Sequence, residues 1–156
     1  MKKIMEFQEE YAKLQYPIQF DSLCKILEQG VSHQTPDIGE QMHQTMTQLL
    51  KFPYDKVFPC IDLYRMYLIH PTSSAEFTKS DMGAGQVSTM LNFLLAKNVA
   101  NPVYYLTLRS LCNYFKNQSS NHVAMYRWSE IFDAVSKHLS SPDKHTRLAA
   151  ASLYCK

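Results

Sequence analysis

The chain has 156 residues, 46% of them hydrophobic, with 16 Lys and Arg set against 14 Asp and Glu. That length suits one domain with a real core, and the composition excludes wholesale disorder. A net charge of +2 is too small for bulk attraction to nucleic acid or to a membrane, so any electrostatic role falls to a local patch.

Alternating charge up to about Gln15 predicts a short leading helix. Tyr16 to Phe20 reads as extended, because proline disfavours helix in the residue before it. Asp21-Ser22 then caps a helix whose apolar face is Leu23, Ile26 and Leu27, with Gly30 as its end. Val31 to Asp37 reads as loop. Ile38, Met42, Met46, Leu49 and Leu50 return at helical spacing until Phe52-Pro53 breaks the pattern. The next helix is expected from Tyr54 to Ile69. Val57, Ile61, Tyr64 and Leu68 form one face, Phe58 and Leu63 widen it, and His70-Pro71 stops it.

Ser73-Ser74-Ala75-Glu76 fits a capping box and predicts a short helix. Met82-Gly83-Ala84-Gly85 reads as a turn. Val87, Met90, Leu91, Leu94 and Leu95 then give a full amphipathic pattern. Asn101-Pro102 is a cap followed by a first-turn proline, and the helix behind it reaches Lys116. Asn117 to Asn121 reads as a polar linker. Trp128, Ile131, Phe132, Val135 and Leu139 mark another helix, with Lys137 and His138 in its last turn, where cations suit the helix dipole. Ser141-Pro142-Asp143 starts a final helix that is still apolar where the chain stops at Lys156. No stretch alternates as a strand does.

Glycine is scarce, at 4 residues, which favours helices. Cys24, Cys60, Cys112 and Cys155 are scattered with no Cys-x-x-Cys, so they read as small hydrophobes in a reducing compartment, not as a disulfide or zinc framework. The N-terminus turns acidic before an apolar run forms, unlike a signal peptide, and no run is apolar enough to span a bilayer. Asn117-Gln118-Ser119 matches a glycosylation pattern and is read as ordinary polar loop.

Two of the expected helices, 54–69 and 101–116, are apolar on most sides, and each carries one arginine, Arg65 and Arg109. A helix apolar nearly all round is sandwiched between others. The arginines lie about one armadillo-type repeat apart, against a period of roughly 40–47 residues. The fold class is therefore all-α: armadillo/HEAT-like stacked helical repeats in a right-handed superhelix. The array is expected to be part of a longer one, or to have its end covered by another chain, because its last apolar helix lacks a polar cap.

Tyr105, Arg109, Asn113 and Lys116 recur at i, i+4, i+8 and i+11 as a polar stripe. Such a stripe can hold an extended peptide, with Arg109 on a carboxylate or phosphate and Asn113 on the peptide backbone. The simpler alternative has Arg109 pair within the array and Asn113 tie a neighbouring loop. Arg65 faces the same choice between the groove and a local pair with Asp62. Lys144 and Arg147 fall in the first turn of the last helix, where cations oppose the dipole, and this hints at a partner. The six histidines form no ligand pair, and no cysteine carries a nucleophile signature, so neither a metal, a cofactor nor catalysis is expected.

Two blocks resemble a known family. Phe52 to Pro71 holds an aromatic-Pro-x-Asp-x-Val-Phe-Pro core, then Asp-Leu-x-Arg and His-Pro. Asn101 to Phe115 holds Leu-Arg-x-x-Cys-Asn-x-Phe, and a weak Leu-Ala-x-Ala-x-Leu follows at Leu148 to Leu153. This pattern is similar to the PUL domain, the C-terminal domain of phospholipase-activating proteins, also found in some thioredoxin-like proteins. The likeness covers residues 17–156, with 1–16 as a lead segment. It implies an armadillo-like array longer than this chain. It further implies a basic groove for the C-terminal tail peptide of the AAA ATPase valosin-containing protein, in ubiquitin-dependent turnover in the cytoplasm and nucleus. By that reading Arg65, Arg109, Asn113, Tyr105, Lys116, Lys144 and Arg147 bind the tail, with no nucleic acid and no membrane involved. The open C-terminal end offers a surface for self-association. The alternatives are a fragment of a thiol-dependent or isopeptidase enzyme, and a plain helical spacer.

Overall fold

A computed structural model describes residues 17–28, 37–73 and 82–156. These form eight α-helices and no strand: α1 (Pro17–Glu28), α2 (Glu40–Leu49), α3 (Phe58–Tyr67), α4 (Met82–Leu95), α5 (Asn101–Tyr114), α6 (Gln118–Tyr126), α7 (Trp128–Ser136) and α8 (Lys144–Tyr154). The leading helix, the Gly30 stop and the capping box after Ser73 lie outside the described residues.

The apolar periodicities become the core. Ile38, Met46, Leu49 and Leu50 are buried beneath α2, and Val57, Ile61, Tyr64 and Leu68 are buried around α3. Val87, Met90, Leu91 and Leu94 do the same for α4. α5 packs against α3, α4 and α8; α4 also meets α6 and α7; α1 meets α2 and α3.

Cross-helix contacts show a repeat directly. Asn113 bonds Arg65, and Asn117 bonds Leu68, at separations of 48 and 49 residues. Both numbers rise together, so α3 and α5 run in the same direction. Arg127 donates to the Ala84 carbonyl 43 residues away, and the His138 Nε2–H donates to the Leu94 carbonyl 44 residues away. α4 and α7 are therefore parallel too. Two rows of parallel helices offset by one repeat are compatible with an armadillo-like array.

Several element boundaries differ from the sequence reading. Residues 17–20 are helical, because proline at a first helical position loses only an N–H that a helix start leaves unpaired anyway. Asp21 and Ser22 consequently sit inside α1. Residues 54–56 form a turn, and α3 begins at Phe58. Gly83 and Gly85 lie within α4 instead of in a turn, and the expected linker at 118–121 is the first turn of α6. Asn101 is the first residue of α5 and makes no side-chain cap; Ala100 occupies the cap position. α8 is capped by Asp143, whose Oδ2 accepts from the Thr146 N–H and the Thr146 hydroxyl, both at 2.7 Å.

α3 ends at Tyr67 with Leu68 as its C-cap, short of the expected Ile69, and His70 lies in the turn beyond it. Its Nδ1 accepts from the Thr72 N–H (3.3 Å) and lies 3.0 Å from Thr72 Oγ1, which itself accepts from the Ile38 N–H. Burial pushes the imidazole below its ordinary pKa, which favours the neutral ring that this bonding needs.

Gly85 lines a cleft of about 250 Å³ with Thr47, Leu50, Lys51, Gln86 and Thr89. A Cβ at this helical position meets nothing within 4 Å. Gly85→Ala is therefore expected to stabilise the fold by about 0.5–1 kcal/mol, chiefly by restricting the unfolded chain. A raised urea midpoint with an unchanged slope would show it.

Candidate functional site

α5 is the central helix of its row, so packing leaves it one outward stripe. Tyr105 and Cys112 are half-buried and Arg109 is exposed, with exposed Lys116 just past the helix end. These fall at i, i+4, i+7 and i+11, a single helical face.

Asn113 lies on the adjoining face and turns inward. It is 8% exposed, and its Nδ2 donates to the Arg65 carbonyl at 2.7 Å. Asn117 Nδ2 does the same to the Leu68 carbonyl at 2.9 Å. The end of α3 tightens: Ile69 N donates to Met66 O and His70 N to Tyr67 O. Its carbonyls then need partners from elsewhere. The expectation that Asn113 greets a peptide backbone is therefore corrected, because its amide ties α5 to α3. Asn113→Ala is expected to cost about 1–3 kcal/mol in urea unfolding by stranding that carbonyl.

Arg65 meets Asp62 through Nε at 3.0 Å and Nη2 at 2.8 Å, on a partly exposed surface. Such a pair contributes about 0–1 kcal/mol, and it offsets the charge that Arg65 would bring to a groove. Arg147 folds back, with Nη1 donating to the carbonyls of Ser141 (2.7 Å) and Pro142 (2.9 Å). The first-turn cation is thus satisfied by the loop that precedes its own helix. Lys144 is exposed at the start of α8.

Arg109 differs from these. Its guanidinium carbon stands 5.4 Å from the centroid of the Tyr105 ring, a cation–π contact. Among the described residues no carboxylate pairs with it, with Lys116 or with Lys156. All three cations act on the Cys112 thiol and favour its thiolate, yet burial prevails and pushes the thiol pKa up. That is the opposite of what a thiol nucleophile requires. On α8, the His145 ring lies 5.8 Å from the Tyr105 ring.

The structure therefore brings Tyr105, Arg109 and Lys116 together, and adds Cys112, His145 and Lys156, which the sequence reading missed. It does not join Asn113 to them. The repeat offset could have found the additions, because Tyr105 to His145 and Lys116 to Lys156 are each one repeat step along the row. Among the described residues no cluster of His, Cys, Asp and Glu could hold a metal ion. No described helix is long and apolar enough to cross a membrane.

The stack of parallel helices is compatible with the armadillo-like array that the resemblance implied, and the arginine-bearing helices α3 and α5 pack side by side in it. The sequence matches the PUL domain family over residues 1–155. The chain belongs to that family. A phospholipase A-2-activating protein of Xenopus laevis is 24% identical to this PUL domain over 131 residues. That stretch is 84% of this chain and 16% of the relative. The chain is thus a PUL domain, a protein-interaction module similar in sequence to a short stretch of that phospholipase A-2-activating protein.

Proposed function

We propose that this PUL domain binds the C-terminal tail peptide of the AAA ATPase valosin-containing protein along the α5–α8 stripe, as an adaptor in ubiquitin-dependent protein turnover. The observation that carries the reading is the convergence of Arg109, Lys116 and Lys156 around half-buried Cys112, with no carboxylate partner among the described residues. Lys116 and Lys156 follow helix C-termini, where the dipole rewards a cation by about 0.3–1 kcal/mol. Arg109 lies well inside α5, so the dipole does not account for it. A planar guanidinium held over an aromatic ring offers its fork to a carboxylate, while the ring supplies an apolar floor for the peptide.

Calorimetric titration with the tail peptide tests the reading. Arg109→Ala is expected to weaken binding by about 1.5–3 kcal/mol, the scale of one charge-assisted contact. Arg65→Ala is expected to change it by no more than about 1 kcal/mol, since Asp62 already engages that side chain. Binding that survives Arg109→Ala combined with Lys116→Ala would discard the stripe as the tail's seat.

A further inference from the structure

The turn that closes α3 is wound around one histidine. The His70 N–H donates to the Tyr67 carbonyl at 3.1 Å. The His70 carbonyl accepts from the Ser73 N–H at 3.2 Å and from the Ser73 hydroxyl at 2.7 Å. On the ring, Nδ1 accepts from the Thr72 N–H, and the Thr72 hydroxyl donates to it as well. That hydroxyl oxygen in turn accepts from the Ile38 N–H at 3.1 Å. Ile38 is 2% exposed and stands just before α2. Through Thr72, the ring thus fastens the approach to α2 onto the end of α3.

Only a neutral ring with its proton on Nε2 can accept at Nδ1. His70 is 2% exposed, and its Nε2 has no hydrogen-bond partner. Protonation sets a hydrogen on Nδ1 against the Thr72 N–H, and it leaves a charge where water does not reach. The Thr72 hydroxyl can turn its hydrogen away, but the backbone N–H cannot. Among the described residues, Asp37 is the charged group that acts on the ring, and it favours the cation. Asp37 is exposed, so solvent screens it, and burial of the ring outweighs it. The other titratable groups here are Tyr67, one turn back on α3, and His43 of α2, which bond each other.

We infer that His70 is an acid-operated clasp: protonation of its ring unfastens residues 37–39, at the approach to α2, from the end of α3, while α5 to α8 stay packed. The fold lowers the histidine pKa from its ordinary 6.5, so the clasp holds in full above that value. It is lost as pH falls through the lower pKa of the folded state. The opening is local, because one hydroxyl carries the Ile38 bond, whereas α5 is packed on α3, α4 and α8.

Amide hydrogen exchange of the full chain, followed by NMR, reads the clasp at the Ile38 N–H. Its protection factor is expected to fall about tenfold per pH unit below the folded pKa, as binding of one proton requires. Protection of the Ala150 and Leu153 amides in α8 should hold between about pH 7 and pH 5, the range in which histidine titrates. His70→Asn keeps a side-chain acceptor and cannot titrate, so its Ile38 protection should not vary with pH over that range. The ring resonances of His70 in the parent chain give a reading that needs no variant, and they should titrate below 6.5. The inference is overturned if the ring titrates at or above that value, or if Ile38 protection does not change with pH. It is also overturned if His70→Asn shows the same pH dependence, which would assign the effect to His43. Loss of α8 protection in step with Ile38 would overturn it too, because the opening would then be global.

Discussion

Tyr114→Ala is expected to lower the unfolding free energy by about 3–5 kcal/mol, the scale of a buried aromatic ring replaced by a methyl group. Tyr114 is fully buried on α5, and its hydroxyl meets that of Tyr64 on α3. The Tyr64 O–H donates to Gln86 Oε1 on α4 at 2.6 Å, so it is the Tyr114 hydroxyl that donates to the Tyr64 oxygen. Gln86 Nε2 reaches Thr47 Oγ1 on α2 at 3.5 Å. One chain of polar contacts thus crosses four helices through the centre of the stack. Burial pushes both phenols well above the ordinary tyrosine pKa, which keeps them neutral donors. Removing the ring opens a void between α3 and α5 and leaves the Tyr64 oxygen without its donor. Tyr114→Phe keeps the ring and drops the donor alone, so it should cost about 1–3 kcal/mol. Set against a total of about 5–15 kcal/mol for a domain, Ala at this position removes a large share. Urea unfolding of the two variants separates ring from hydroxyl. Equal losses would mean that the ring itself contributes little.

The same tyrosines mark where sequence stops being informative. Helical spacing announced that Tyr64 is buried, because an apolar period reports which side of a helix faces inward. It could not announce that Tyr64 meets Tyr114, since the partner of a buried hydroxyl lies 50 residues away. Helix starts failed for a related reason. A first turn draws its stability from capping and not from apolar side chains, so Met82-Gly83-Ala84-Gly85 and Gln118-Ser119-Ser120-Asn121 looked like turn and linker. Ser120 is in fact buried, with its hydroxyl donating to the Tyr114 carbonyl at 2.7 Å. The stripe on α5 was nearly right. From Tyr105, a step of eight residues rotates roughly 80° around the helix while seven returns almost to the start. That difference turns Asn113 onto α3 and leaves Cys112 half-buried on the stripe. Lys156 was missed because a period read along α5 alone does not report the residue that stands one repeat later, just past the end of α8.

A pair of leucines tests whether the stack is held as the row geometry implies. Leu111→Ala is expected to cost about 2–5 kcal/mol, and Leu148→Ala less than about 0.5 kcal/mol, each read from urea unfolding. Leu111 is 0% exposed on α5, within the helix that α3, α4 and α8 all contact. Truncating it loosens several interfaces at once, and the close-packed surroundings cannot collapse into the gap. Leu148 lies on α8, on the side turned away from α5, and is 56% exposed. In an array whose stability sums over units and nearest-neighbour interfaces, a residue on an uncovered flank adds little to folding. Comparable losses at the two positions would mean that the outward flank of α8 is covered within the free chain.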